Sequence, residues 1–266
     1  MKTNQHNQQY TIELNGRRAG SLLGFMPPSR PAGDLVMSCG AGMSRDFYEW
    51  VSSGFSYTPP RRNGAVNPLP SSTGQRREFF NAVIAEVVLP ALDKSLRMPA
   101  AMTVTVSQEA DRLSPSPPGL VWTHPKPWFT SDFKLQIDGL EAECKHAASV
   151  GAVSGNTKVA TDYFGSSRYP EKISGGPDFS KITVTLPVAA FDGFEKWNKD
   201  SVNRNSGSER KASLEYLSAG GGRPYFRLDF SGVGIAAVKR TAKNTTAVEL
   251  YVRNISFTAQ AAALSG

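Results

Sequence analysis

The sequence predicts a mainly β protein of α+β class with one helix per domain, arranged as two tandem β-sandwich or barrel domains. Three observations predict it. Ile182 to Trp197 reads as a strand, a connector and the start of a helix. Ile182, Val184 and Leu186 alternate with Thr183 and Thr185, the period of a half-buried strand, and Pro187 ends it. Asp192 and Glu195 stand in capping-box spacing, and Phe194 and Trp197 fall on one helical face. The second observation is that this stretch occurs twice. Leu35 to Trp50 lies under it without a gap, so that Leu35 meets Ile182, Met37 meets Val184, Cys39 meets Leu186, Phe47 meets Phe194 and Trp50 meets Trp197. The third is that the flanking motifs recur in the same order. Tyr10–Gly16 parallels Phe133–Gly139, each an aromatic-led alternating strand closed by Asn-Gly or Asp-Gly. Arg77–Phe80 parallels Arg223–Phe226, and Met102, Val104 and Val106 fall on Val248, Leu250 and Val252. Four coincidences in one order point to a duplicated unit.

Taken in order, residues 1–9 read as a polar arm and Tyr10–Asn15 as the first strand of a domain spanning 10–113. Residues 24–34, rich in Pro and Gly, form a connector. Leu35–Cys39 is a strand, and a helix follows over about Ser44–Phe55. Tyr57–Gly74 reads as a loop with a short strand near Ala65–Leu69. Phe79–Leu92 tolerates a helix but is read as a strand bending before Pro90, because its counterpart Tyr225–Val238 holds too much Gly for a helix. Met102–Gln108 closes the domain. Residues 114–128 carry five prolines and mark an extended linker. The second domain, 129–258, carries 24 more residues than the first between its opening and central strands. That insert, 147–180, is dense in Gly, Ser, Lys and Tyr and reads as a long structureless loop, a feature that is often functional. Ala212–Leu217 and Tyr225–Phe230 flank a Gly-rich hairpin turn, Val248–Ile255 closes the domain, and 259–266 is a tail.

Composition bounds the function classes. The chain has 266 residues, 39% hydrophobic and 10% aromatic, enough for packed cores. Its formal charge of +7 is spread evenly, with 12 Lys+Arg against 9 Asp+Glu in the first 113 residues. This fits either a soluble basic surface or a face for nucleic acid or an acidic protein. Cys39 and Cys144 cannot make a disulfide framework, and Cys39 aligns with a core Leu. The N-terminal stretch lacks the apolar run of a secretory signal, and no segment is long and apolar enough to span a membrane, so no membrane insertion is expected.

The sequence carries no complete enzyme motif. Cys39-Gly-Ala-Gly-Met-Ser follows a strand and precedes a helix, but Arg45 stands where a dinucleotide loop needs its third Gly. Gly220-Gly-Gly-Arg223 lacks the Lys-Ser/Thr of a phosphate loop. His6, His124 and His146 show no metal-ligand spacing with each other or the cysteines. The expectation is therefore no catalytic residue, no cofactor, no metal and no enzyme. Phe47, Trp50, Phe194 and Trp197 are expected to pack the cores rather than to stack on bases. In the insert, Tyr163, Phe164 and Tyr169 are candidate aromatic anchors, and Lys158, Arg168 and Lys172 candidate partners for carboxylates of a neighbour; together they mark an assembly loop, poorly ordered in the free chain.

The order of motifs in the second copy resembles the phage tail-tube protein family, of T4 tube-protein type, and its relatives in type VI secretion and contractile injection systems. The resemblance is carried by Phe133-Lys-Leu-Gln-Ile-Asp-Gly-Leu140, the loop through Asp162-Tyr-Phe-Gly and Tyr169-Pro-Glu-Lys, Ile182-Thr-Val-Thr-Leu with Phe194-Glu-Lys-Trp197, and Phe226-Arg-Leu-Asp-Phe-Ser through Val248-Glu-Leu-Tyr-Val. It covers residues 129–258 and extends weakly to 10–110 through the internal repeat. The resemblance implies tube-like domains whose sheets continue into a ring-shaped β-barrel around a channel. Family rings hold six single domains, so a two-domain chain would give a pseudo-hexameric ring from a homotrimer. The implied partners are neighbouring tube or baseplate proteins, a sheath, and DNA or effector passing through the lumen without specific binding. The implied place is a virion tail or tail-like particle assembled in the bacterial cytoplasm. The short first-copy connector departs from the family, where that loop is long and bridges stacked rings. The competing reading is a basic two-domain nucleic-acid or protein-binding adaptor.

Overall fold

The structure, a computed structural model, describes residues 9–69, 74–162, 171–203, 209–242 and 244–264. Its first half runs β1 (Tyr10–Leu14), β2 (Arg17–Met26), β3 (Leu35–Cys39), α1 (Arg45–Ser52), β4 (Arg62–Pro68), β5 (Arg76–Leu89), β6 (Leu92–Asp93), β7 (Met102–Ser107) and β8 (Ala110–Ser114). The second runs β9 (Trp128–Ile137), α2 (Glu141–Cys144), β10 (Ser149–Val150), β11 (Val153–Asp162), β12 (Glu171–Phe179), β13 (Ile182–Pro187), α3 (Asp192–Asn203), β14 (Arg210–Ser218), β15 (Pro224–Ala242), β16 (Thr245–Tyr251) and β17 (Asn254–Ala259). The fold is mainly β, with two barrel-like sheets, as the alternating patterns predicted; the second half carries α2 beside α3, where one helix per domain was expected.

The first barrel closes on itself. Its strands follow the order β5-β4-β1-β2-β3-β7, and β7 pairs back with β5, all antiparallel. Closure leaves the ring of six strands without an edge. Asn15-Gly16 makes the β1–β2 turn with both residues at positive φ, 50° and 77°, as a two-residue hairpin demands. Ile12, Leu35, Met37, Val104 and Val106 point inward and are buried, while the intervening threonines and serines are more exposed. Ser44 caps α1, its Oγ accepting from the Phe47 N–H at 3.3 Å, and Phe47, Tyr48, Trp50 and Val51 are all buried.

The second barrel repeats this pairing scheme. β9–β14, β14–β15, β15–β16, β15–β17, β13–β16 and β10–β13 stand where β1–β4, β4–β5, β5–β7, β5–β8, β3–β7 and β2–β3 stand in the first. The registers fix residue equivalences. Met37 faces Val104 and Val184 faces Val248, so Val104 corresponds to Val248. Val87 then corresponds to Val238, and Ile84 to Ile235. Phe79, opposite Gly64, corresponds to Phe230, opposite Ala212. Two alignments drawn from the sequence are therefore corrected. Met102 does not match Val248, which is two residues out, and Arg77–Phe80 does not match Arg223–Phe226. A slip of two keeps every side chain on its face, so alternation alone could not fix the first register; in the second, Arg77 stands level with Leu228, five residues from Arg223.

The halves exchange segments. Among the described residues, no strand pairs with β9 as β2 pairs with β1. Its place is taken by a strap from the first half. Leu92 and Asp93 pair with Val150 and Ser149, and residues 98–100 run along β9, with the Ala100 N–H donating to Trp128 O and the Thr130 N–H to Met98 O, each at 3.0 Å. In return, β11 pairs with β5 over Val153–Asn156 and β12 pairs with β11, so this hairpin extends the first sheet. The insert expected to be a structureless loop is thus largely a β-hairpin. Its Gly and Ser content concealed the alternation of Val153, Gly155 and Thr157, all buried against the first half. The proline-rich linker also packs. The Trp122 Nε1–H donates to Leu22 O at 3.3 Å, and the Thr123 N–H to Ser21 Oγ at 3.1 Å.

One contiguous core runs through both halves. Tyr48 of α1 lies 5.4 Å from the Phe226 ring and 6.4 Å from Phe257, and Trp128 meets Tyr216 and Phe226 edge-on. Cys39 and Cys144 are buried free thiols within it. Burial, with minor contributions from neighbouring groups, pushes the Cys144 thiol up to about 12, and burial pushes Cys39 up as well. Neither forms thiolate near neutrality. The native protein is expected to react only slowly with a thiol reagent at pH 8, and to release two equivalents per chain once denatured. Prompt labelling of the native chain would show that the core is open at these points.

Candidate assembly surface

The hairpin is the feature that the sequence singled out, and its geometry starts from β5. Val153, Ser154, Gly155 and Asn156 stand opposite Leu89, Val88, Val87 and Glu86. Beyond them the hairpin leaves β5 and lies along the chain that follows α1. Thr157 Oγ1 approaches Gly54 O at 3.4 Å, Phe55 stacks on Phe179 with centroids 6.4 Å apart, and Phe55 also stacks on Phe257. Tyr57 lies against Gly176.

Charge fastens the far end. Arg61 pairs with Glu109 and, at 3.2 Å, with Glu171, and its Nη2–H donates to Lys172 O at 2.8 Å. The Lys172 N–H donates to Glu109 Oε1 at 3.0 Å, and its Nζ donates to Thr161 Oγ1 at 3.0 Å. Lys172 is therefore nearly buried and tied to its own chain, which departs from its expected role as a cation offered to a neighbour. The reason lies in the pairing, which sets the Lys172 backbone N–H on Glu109 and its ammonium on Thr161; the first is a contact between distant segments that no local pattern reveals. Lys158 behaves differently. It sits at an irregularity of the β11–β12 ladder and is exposed. Tyr163, Phe164, Arg168 and Tyr169 lie outside the described residues. Phe47, Trp50, Phe194 and Trp197 are all buried, as expected for packing residues.

Between the hairpin and the β2–β3 loop lies a polar cleft of about 570 Å³, lined by Arg30, Glu86, Asn156, Lys158 and Lys172 among others. It brings the cations Arg30, Lys158 and Lys172 together with the carboxylates Asp34 and Glu86. Among the described residues, no group of three or more His, Cys, Asp or Glu is placed to hold a metal ion, and no helix is long and apolar enough to cross a membrane. Residues that sequence reasoning missed here are Phe55, Tyr57, Arg61, Glu109 and Phe179. Only Phe55 carried a signal, as the large apolar residue ending the helical pattern.

Gly155 tests how the hairpin is held. A Cβ there would lie 2.7 Å from Phe55 Cδ1 and 2.8 Å from Cε1, and Phe179 and Phe257 hemmed around that ring leave it little room to yield. Gly155→Val is expected to cost about 1–3 kcal/mol, as overpacking does. Thermal unfolding should register the loss, and limited proteolysis should show faster nicking within 153–179. A variant with unchanged melting and nicking would mean that the hairpin does not rest on Phe55.

No family model matches the chain, and no curated protein matches it at a significant level.

Proposed function

We propose that the protein is a structural subunit of a phage tail or tail-like contractile injection system, forming the inner tube or a ring at its baseplate end. The observation that supports this most is the internal architecture. Two barrels with one pairing scheme sit in a single chain; a strap from the first completes the second, and a hairpin from the second extends the sheet of the first. A contact that already joins one unit to its copy inside the chain suits a ring in which the same step recurs between chains. Three chains would then supply six units around a channel through which DNA or effector passes without specific binding. The exposed Lys158 and Ile173 leave one side of the hairpin available to a neighbouring ring, a baseplate protein or a sheath. The particle would be assembled in the bacterial cytoplasm.

Negative-stain electron microscopy of the purified protein tests this reading. Rings or short tubes with a central channel and six lobes are expected. Isolated particles of one chain at all concentrations would count against it, and salt-sensitive binding of those particles to nucleic acid would favour the adaptor reading instead.

A further inference from the structure

Inside the chain, the contact between the halves has two sides. On the first half stand Tyr48, Phe55 and the Glu86–Leu89 edge of β5; on the second stand Phe226, Phe257 and the start of β11. The register equivalences carry each side onto the other half. Glu86–Leu89 becomes Ala237–Arg240 of β15. Tyr48 becomes Glu195 of α3, because Phe47 and Trp50 correspond to Phe194 and Trp197. Phe257 becomes Leu113 of β8, because Phe79 faces Asp111 as Phe230 faces Ile255. Gly24 and Phe25 face Ser38 and Met37 as Ser149 and Val150 face Thr185 and Val184, so the start of β11 becomes the loop Pro28–Pro31.

These second surfaces are bare. Among the described residues, no strand pairs with β15 beyond Val233 on its β14 side, although β11 fills the same place on β5. Ile84 and Val87 are fully buried, whereas their counterparts Ile235 and Val238 are only partly buried against the core. Phe257 is 3% exposed and its counterpart Leu113 is 50% exposed. Met26, beside the loop, is 59% exposed.

We infer that a second copy of the chain docks head to tail, its Pro28–Pro31 loop and Leu113 covering the Ala237–Arg240 edge and the Glu195 face of α3. The inference rests on the ring reading and names the two surfaces that would build it. The contact is heterologous, so it uses different surfaces on the two copies and leaves one of each free for the next. It is also weaker than the contact inside the chain. Pro28 and Pro31 have no N–H, so the loop offers β15 carbonyls and few donors. Glu195 stands where the other half presents a tyrosine ring. Assembly is therefore reversible and depends on concentration.

Sedimentation velocity on the full chain over a concentration series tests this, with Leu113→Arg, Val238→Pro and Lys239→Pro beside the wild type. Leu113 is exposed, so its replacement should leave melting unchanged. Neighbouring strand residues direct their N–H groups to opposite sides, so one proline variant removes an outward donor and keeps the β16 ladder. The wild type should associate, and Leu113→Arg and the folded proline variant should each raise the apparent dissociation constant on the order of tenfold. Hydrogen exchange at amides 237–240 should slow on association, which decides the matter even if both proline variants unfold. Should the wild type associate while Leu113→Arg associates equally well and those amides exchange at the monomer rate, the two surfaces are wrong and the ring reading survives. A wild type that stays monomeric overturns both.

Discussion

Trp50→Ala is expected to destabilise the fold by ~3–5 kcal/mol, the range for truncating a large buried aromatic. Trp50 is fully buried and stacks on Phe79, with centroids 6.0 Å apart and planes 9° from parallel. Its helix also carries Tyr48 into the aromatic cluster of the second half, so a shift of α1 disturbs both barrels. The melting temperature should fall by roughly 6–20 °C on the usual scaling. Trp197→Ala belongs at the lower end of that range. Trp197 is 1% exposed, but the Arg210 guanidinium covers its ring at 4.8 Å, and on α3 Glu195 stands exposed where α1 buries Tyr48. A flexible arginine can settle into the space more readily than a packed core can. The two variants, followed by far-ultraviolet circular dichroism, should rank in that order. Equal and negligible effects would mean that neither indole is a packing residue.

Removing the hairpin, 153–179, and bridging the gap with a short Gly-Ser segment should be costly rather than neutral. The deletion bares the Glu86–Leu89 edge of β5 and uncovers Phe55. It also discards the burial of Val153, worth about 1.5–3 kcal/mol, and four residues of ladder at about 1 kcal/mol per hydrogen bond. The loss is on the order of 5 kcal/mol, and an exposed strand edge invites aggregation. Soluble yield and melting temperature are the readouts. A deletion variant as soluble and stable as the wild type would return the segment to the status of a dispensable loop.

That contrast shows what the sequence carried. The alternation Ile182–Val184–Leu186, the spacing of Phe194 and Trp197, and their echo at Leu35–Trp50 are local patterns. They marked the central strands and helices of both barrels and the repeat that relates them, while the pairing of the strands came from the structure. Register was illegible wherever only the period of two was available, hence the slip at Met102 and Val248. The exchanged segments were hidden for another reason. Leu92–Ala100 closes a barrel whose other strands begin 28 residues later, and Lys172 meets Glu109 across 63 positions. Such contacts follow from which edges stand open once the sheets exist, and nothing near those residues announces them. The hairpin itself was masked by its composition, since Gly155 is small because Phe55 lies against it and not because the chain turns there.

The central claim is that one chain supplies two equivalent units of a ring. Native mass spectrometry of the assembled particle, read alongside its lobes in the microscope, tests that most directly. The account predicts three 28.7 kDa chains for six lobes, and multiples of three where rings stack. Six chains in a six-lobed ring, or a particle that never exceeds one or two chains, would contradict it.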